Sequence, residues 1–159
     1  MNFDQNCTCC FSGHRLLPRS KIERIVLCLN REVDHLINKG IKNFISGGAL
    51  GFDQIAASLI VAKKEMGQDI RLVFALPCRN QDKRWNTGQK QLYHGLLAEA
   101  DEIIYVSEEY TYDCMERRNR YMVDQSEYCI CALLHERSGT GQTVRYARQK
   151  ERQIVNVAK

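Results

Sequence analysis

The stretch Phe44-Ile45-Ser46-Gly47-Gly48-Ala49-Leu50-Gly51-Phe52-Asp53 constrains the fold more than any other. An apolar run stops at Ser-Gly-Gly. A helical stripe then begins at once, through Leu50, Ile55, Ala56, Leu59 and Ile60. Strand, glycine turn and helix form the repeating half-unit of an α/β protein. Two adjacent glycines let the backbone turn tightly and let a ligand approach without meeting a Cβ. The first N–H groups of a helix have no partner inside it and favour an anion. The stretch reads either as a phosphate cradle or as a plain turn from strand to helix, because its spacing is neither Gly-x-Gly-x-x-Gly nor a Walker motif.

The same alternation runs along the chain. Residues 8–12 make a short β-type run that breaks at Gly13-His14-Arg15. A helix is predicted from Ser20, an N-cap with Glu23 as its capping-box partner. Ile22, Ile25, Val26, Leu29, Val33, Leu36 and Ile37 give it one apolar face, and Gly40 closes it. The second strand covers residues 43–46, and its helix runs to Met66 before Gly67. Residues 70–76 are apolar almost throughout, as in a strand buried on both faces of a parallel sheet. Further helices are predicted over residues 86–99, 114–125 and 142–150, and further strands over 102–106, 128–134 and 153–157. Strands alternating with helices call for a parallel sheet with right-handed crossovers. Nothing divides the chain, so residues 1–159 are expected to form one domain.

Composition removes other classes. Hydrophobic residues are 44% and charged residues 26% of the chain, as in a globular protein. A net charge of +4 suits an anionic small molecule as well as nucleic acid. No run of about 18 apolar residues exists, so no transmembrane span and no membrane partner are expected. Met1-Asn2-Phe3-Asp4-Gln5-Asn6 lacks the basic and apolar regions of a secretory signal, which leads to the expectation of a cytoplasmic protein. Cys7-x-x-Cys10 has a redox or zinc spacing, but no second such pair follows. Cys10, Cys28, Cys129 and Cys131 fall in apolar patterns, where cysteine acts as a small hydrophobe. Buried free thiols are expected, with no metal and no cofactor.

In open parallel sheets the ligand lies beyond the carboxyl ends of the strands, near the switch in strand order. The loops at those ends cover residues 13–15, 47–51, 77–85, 107–118 and 135–142. They are polar, basic and rich in glycine, which suits an anionic, planar ligand.

Four motifs then carry a family resemblance. They are Ser12-Gly13-His14-Arg15, Ser46-Gly47-Gly48-Ala49-Leu50-Gly51-Phe52-Asp53, Arg117-Arg118-Asn119-Arg120-Tyr121-Met122-Val123-Asp124 and Ser138-Gly139-Thr140. In order and spacing they resemble the YpsA-like family of the SLOG superfamily, over nearly the whole chain. Relatives in that superfamily include the DNA-processing protein DprA (Smf) and the LOG phosphoribohydrolases. The resemblance implies a Rossmann-like α/β fold: a three-layer sandwich with a mainly parallel sheet and helices on both faces. It also implies a nucleotide or nucleotide-derived ligand and a homo-oligomer, a dimer or larger.

Residue by residue, Gly13 gives backbone access and Arg15 offers bidentate contacts to phosphate. His14 is either a ribose or phosphate donor or a surface histidine. Ser46, Gly47 and Gly48 would set main-chain N–H groups against phosphate. Asp53 either binds a ribose hydroxyl, holds the glycine loop, or is a first-turn acid favoured by the helix dipole. Arg84 and Trp85 would serve a phosphate and a base, unless the tryptophan simply packs. Arg117, Arg118 and Arg120 cannot all face one way on a helix, so Arg118 and Asn119 are assigned to the ligand. Asp124 is expected to pair with an arginine. Arg145, Arg148 and Arg152 are read as a solvated face. Ser138, Gly139 and Thr140 would form a second anion nest.

No catalytic residue is assigned. The LOG enzymes carry Pro-Gly-Gly-x-Gly-Thr-x-x-Glu in the corresponding late loop, and the position matching its glutamate is Arg145. An arginine cannot act there as general acid or base. The first expectation is therefore a sensor or sequestering protein for a nucleotide-derived ligand, such as an ADP-ribose-like or cyclic nucleotide signal. The alternative is a nucleotide-processing enzyme such as an N-glycosidic hydrolase. A DprA-like single-stranded nucleic-acid binder ranks third, since aromatic residues are only 8% and the charge is mild.

Overall fold

The computed structural model describes residues 3–159. Strands β1 (Thr8–Gly13), β2 (Asn43–Ser46), β3 (Arg71–Leu76), β4 (Glu102–Tyr105), β5 (Tyr128–Ala132) and β6 (Gln153–Asn156) alternate with helices α1 (Arg19–Asn38), α2 (Phe52–Glu65), α3 (Thr87–Ala98), α4 (Cys114–Asp124) and α5 (Gly139–Gln149). The strands form one sheet in the order β4-β3-β2-β1-β5-β6. Every neighbouring pair is parallel.

The order follows from crossover handedness. From β1 to β4 the chain advances one way across the sheet, so right-handed connections put α1, α2 and α3 on one face. It then returns past β1 to lay down β5 and β6, which puts α4 and α5 on the other. Strand residues alternate between the two cores accordingly. Phe11, Phe44, Leu72, Phe74 and Ile130 pack with Ile25, Leu29, Phe52 and Ile60. Cys10, Ile45, Val73, Ala75, Cys129 and Cys131 pack with Met122, Val123, Val144 and Ala147. The central strands are buried on both faces, which is why they read as unbroken apolar runs. Six of the eight cysteines are buried free thiols, and Cys7 and Cys28 are half-buried. Cys10 lies opposite Cys129 across β1 and β5.

Helix starts differ from the sequence expectation in three places. The N-cap of α1 is Pro18, and the expected Ser20–Glu23 capping box is not formed. Proline presets the backbone for a helix start, so the helix begins directly after it. α2 begins at Phe52, and Leu50 and Gly51 belong to the turn; Gly51 has φ +84°. α5 begins at Gly139 rather than Gln142, with Ser138 as its N-cap. The capping box on α3, Asn86 with Gln89, tethers both ends of its first turn. No helix among the described residues is long and apolar enough to cross a membrane.

Candidate functional site

The strand order reverses at β1, so the loops leaving β1 and β5 diverge and open a crevice between them. A cavity of about 270 Å³ lies there. Its walls come from four parts of the chain: Phe11 to Arg15, then Ala49 and Asp53 before and in α2, then Met115, Arg118 and Asn119 of α4, then Gly139 and Thr140 of α5.

Across the crevice, His14 Nε2 accepts hydrogen bonds from the backbone N–H of Leu134 (2.9 Å) and His135 (3.2 Å). A nitrogen that accepts cannot carry a proton, so the ring is neutral and its proton sits on Nδ1. Burial and the nearby His135 hold the imidazole below its ordinary pKa. His14 therefore ties the end of β1 to the end of β5.

Asp53 forms the floor. It sits in the first turn of α2 and is 6% exposed. Burial pushes its carboxyl up from 3.8 to about 6; Arg118, the Ala49 backbone N–H and Arg15 oppose that rise. The turn beneath is built from inside. Ser46 Oγ donates to the Asp53 carbonyl (2.8 Å) and accepts from the Gly48 N–H (3.2 Å). Gln54 Nε2 donates to the Gly48 carbonyl (3.2 Å). Gly48 has φ +71°, and a Cβ there would press on Leu76 and Tyr93.

Arg118 is fully buried. Its Nη1 donates to the Gly47 carbonyl (2.5 Å) and the Ala75 carbonyl (3.4 Å), and its Nε donates to Asn119 Oδ1 (2.8 Å). A Cβ on Gly47 would strike the guanidinium and the Asp53 carboxylate. Gly47 thus makes room for a buried arginine. With Oδ1 engaged, Asn119 keeps its amide N–H groups for the cavity. Arg117 pairs with Asp113 (3.3 Å) just before α4, and Arg120 pairs with Glu116 (2.9 Å) and lies over the Tyr146 ring of α5 (4.9 Å).

On the third wall Ser138 Oγ caps α5, accepting from the Gly141 N–H (3.0 Å) and donating to the His135 carbonyl (2.6 Å). The N–H groups of Gly139 and Thr140 have no acceptor among the described residues. Arg15 is exposed, and no hydrogen bond or ion pair among the described residues uses its guanidinium.

The tertiary structure thus brings together Gly13, His14, Arg15, Asp53, Arg118, Asn119, Gly139 and Thr140. Ser46, Gly47 and Gly48 lie buried beneath the floor, and Ser138 is the cap behind Gly139. Arg84 is exposed on the loop before α3, and Trp85 packs edge-on against Tyr93 at 4.9 Å; neither lines the cavity. Arg145 is exposed, donates to the Glu136 carbonyl (3.0 Å) and also lies outside it. The Asp124 carboxylate accepts from the Tyr146 hydroxyl (2.7 Å), and it is the Asp124 backbone carbonyl that an arginine, Arg152, reaches with Nη2 (3.4 Å). Arg152 is not simply solvated: its Nε donates to the Val123 carbonyl (3.1 Å), holding the end of α4. Phe11, Ala49 and Met115 also line the cavity and had no assigned role, nor did Ser12, although the first motif contains it. Met115 stands three residues before Arg118 on one helix, a spacing that already placed the two on one face.

A six-stranded parallel sheet, a glycine turn after β2 and a polar cavity at the switch define a Rossmann-like protein. The solved structures of DprA are similar to it. DprA from Streptococcus pneumoniae has a TM-score of 0.62 at 16% identity, covering 92% of this chain and 48% of that one. DprA from Helicobacter pylori, solved for its single-stranded DNA binding mode, has a TM-score of 0.67 at 19% identity, covering 95% and 65%. This likeness is one of fold, and the chain spans about half to two thirds of those proteins.

Residues 17–157 match the family model YpsA, described as the YspA SLOG family, and the chain belongs to that family. The SPbeta prophage-derived protein YoqJ of Bacillus subtilis is 36% identical over 130 residues, 74% of this chain and 76% of that one. A UPF0398 protein of Bacillus pumilus is 25% identical over 115 residues, 70% of this chain and 61% of that one. A second UPF0398 protein, from Bacillus thuringiensis, is 22% identical over 138 residues, 85% and 74%.

Proposed function

We propose that the protein binds a nucleotide-derived ligand in the cavity between β1 and β5, as a sensor or sequestering protein in the cytoplasm. One observation carries this reading. Donors without partners among the described residues, namely the Arg15 guanidinium and the first-turn N–H groups of Gly139 and Thr140, share the cavity with one buried carboxylate, Asp53. A phosphate fits the donors, because a guanidinium and a helix N-terminus both favour an anion. A ribose hydroxyl fits the carboxylate, the only charged acceptor in the lining. The volume of about 270 Å³ lies just below the usual range for small-molecule sites, roughly 300–1,000 Å³, which supports one nucleotide unit inside rather than two.

Isothermal titration with ribonucleotides, deoxyribonucleotides, ADP-ribose and cyclic nucleotides tests it. A saturable ribonucleotide signal that Arg15→Ala removes is the expected result. No signal across the panel would sink the reading. Steeply salt-dependent binding of single-stranded oligonucleotides, with no small-molecule signal, would favour a DprA-like role instead.

A second reading rests on Asp53. A carboxyl held near 6 is suited to proton transfer at neutral pH, so an N-glycosidic hydrolase would use this residue at the ribose. Chromatography of the incubated ligand separates the two. Intact ligand supports the binder. Free base that disappears with Asp53→Asn supports the hydrolase.

A further inference from the structure

Trp85, expected to take a base, packs on Tyr93 instead, which leaves the base of a nucleotide without an assigned partner. A second, smaller hollow supplies one. It is a notch of about 30 Å³ between α4 and α5, lined by Glu116, Asn119, Arg120, Gln142, Thr143 and Tyr146. That volume matches one water molecule's share of the liquid, so the notch admits the edge of a ring rather than a whole ring.

The notch adjoins the cavity. Asn119 lines both hollows, and the Thr143 hydroxyl in the notch donates to the carbonyl of Gly139, a cavity residue (2.9 Å). Arg118 Nε can only donate, so its bond to Asn119 Oδ1 (2.8 Å) fixes the orientation of that amide and leaves Nδ2 as a pure donor. Thr143 and Tyr146 have given their hydroxyl hydrogens to Gly139 and Asp124, so both oxygens remain as acceptors. Gln142 is exposed in the first turn of α5. No hydrogen bond among the described residues uses its side chain, which can both donate and accept.

We propose, on the strength of the cavity reading above, that the nucleobase of the ligand lies over Met115 and sets its hydrogen-bonding edge into this notch. Asn119 donates to a ring acceptor there, and Gln142 completes the pairing. Side-chain amides match a base edge because both set a donor beside an acceptor. A methionine supplies polarizable apolar contact for a flat ring. A phosphate fits the notch poorly, because the Glu116 carboxylate stands in its wall. Phosphate belongs instead at Gly139, three residues before Gln142 and on the same face of α5. The ligand class is therefore a nucleotide that keeps its base, rather than a ribose phosphate or a polyphosphate.

Isothermal titration with the four ribonucleoside 5′-monophosphates and with ribose 5-phosphate tests the proposal, with circular dichroism to check that each variant is folded. At least one nucleotide is expected to bind about tenfold or more tighter than ribose 5-phosphate. Gln142→Ala is expected to cut that ratio about fivefold, the scale of one neutral hydrogen bond. Asn119→Asp keeps an acceptor for Arg118 and replaces the Nδ2 donor with a second acceptor. Its added charge acts on the phosphate of both probes and cancels in the ratio, which is expected to fall as well. Gln149→Ala, at the far end of α5, is expected to leave the ratio unchanged. Ribose 5-phosphate binding as tightly as every nucleotide would overturn the proposal while the cavity reading stands. A ratio unmoved by both substitutions would overturn it too, since the base would be read elsewhere. Binding of no probe at all would sink the cavity reading and this one with it.

Discussion

Asp53 and His14 show how one residue takes its role from its surroundings. Asp53 holds its proton more tightly in the folded chain than in the unfolded one. Its contribution to stability is therefore greatest below about 3.8 and is lost as pH rises through about 6. Relative to Asp53→Asn, wild type should lose roughly 3 kcal/mol between the two limits, read by urea unfolding at a series of pH values. A difference that stays flat with pH would mean an ordinary carboxyl. Arg15 lies at the opposite extreme, exposed and without a hydrogen-bond or ion-pair partner among the described residues. Arg15→Ala should leave stability within about 0.5 kcal/mol of wild type, as for most surface changes. It should weaken ligand binding at least about tenfold, the scale of a hydrogen bond to a charged group. Asp53 and Arg15 were both legible as polar residues at strand ends. The double acceptor role of His14 was not, because its partners at Leu134 and His135 lie some 120 residues away.

At the level of elements, two turns decide the shape of the cavity. The turn before α2 brings Gly51 against the β1–α1 loop, so a Cβ there would clash with the Arg15 and His14 carbonyls as well as meet a φ of +84°. Gly51→Ala should therefore cost more than about 2 kcal/mol, combining backbone strain with displaced main chain, and should lower the melting temperature sharply. If the variant melts with wild type, the loop packing is wrong. The turn before α5 depends on a side chain instead. Ser138→Ala removes the cap on Gly141 and should cost about 1 kcal/mol in chemical denaturation. The turn signal Ser-Gly-Thr-Gly was visible in the sequence, but it was read as a loop nest. The helix starts three residues sooner because Ser138 completes its cap and the glycines still fit its first turn.

At the scale of the whole molecule, one sheet with a core on each face should unfold as one unit. Calorimetry should give a single transition of about 110 kcal/mol, with equal calorimetric and van't Hoff enthalpies. Two resolved transitions would refute a single domain. Ligand at about a hundred times its dissociation constant should add about 2.7 kcal/mol of stability, a rise of roughly 8 °C in melting temperature. A nucleotide that binds outside the native fold would give no such rise.

The sequence by itself determined the alternation of strands and helices, the parallel sheet and the strand-end loops that line the cavity, because burial on one face or two leaves a period in the chain. Only the tertiary structure decided which loop residues meet. Strand order sets β1 beside β5, and that juxtaposition draws His14, Asp53, Arg118 and Thr140 around one cavity while Trp85 goes to packing. Periodicity records which face of an element is buried. It does not record which distant element covers that face, and the chemistry of this site lies between elements.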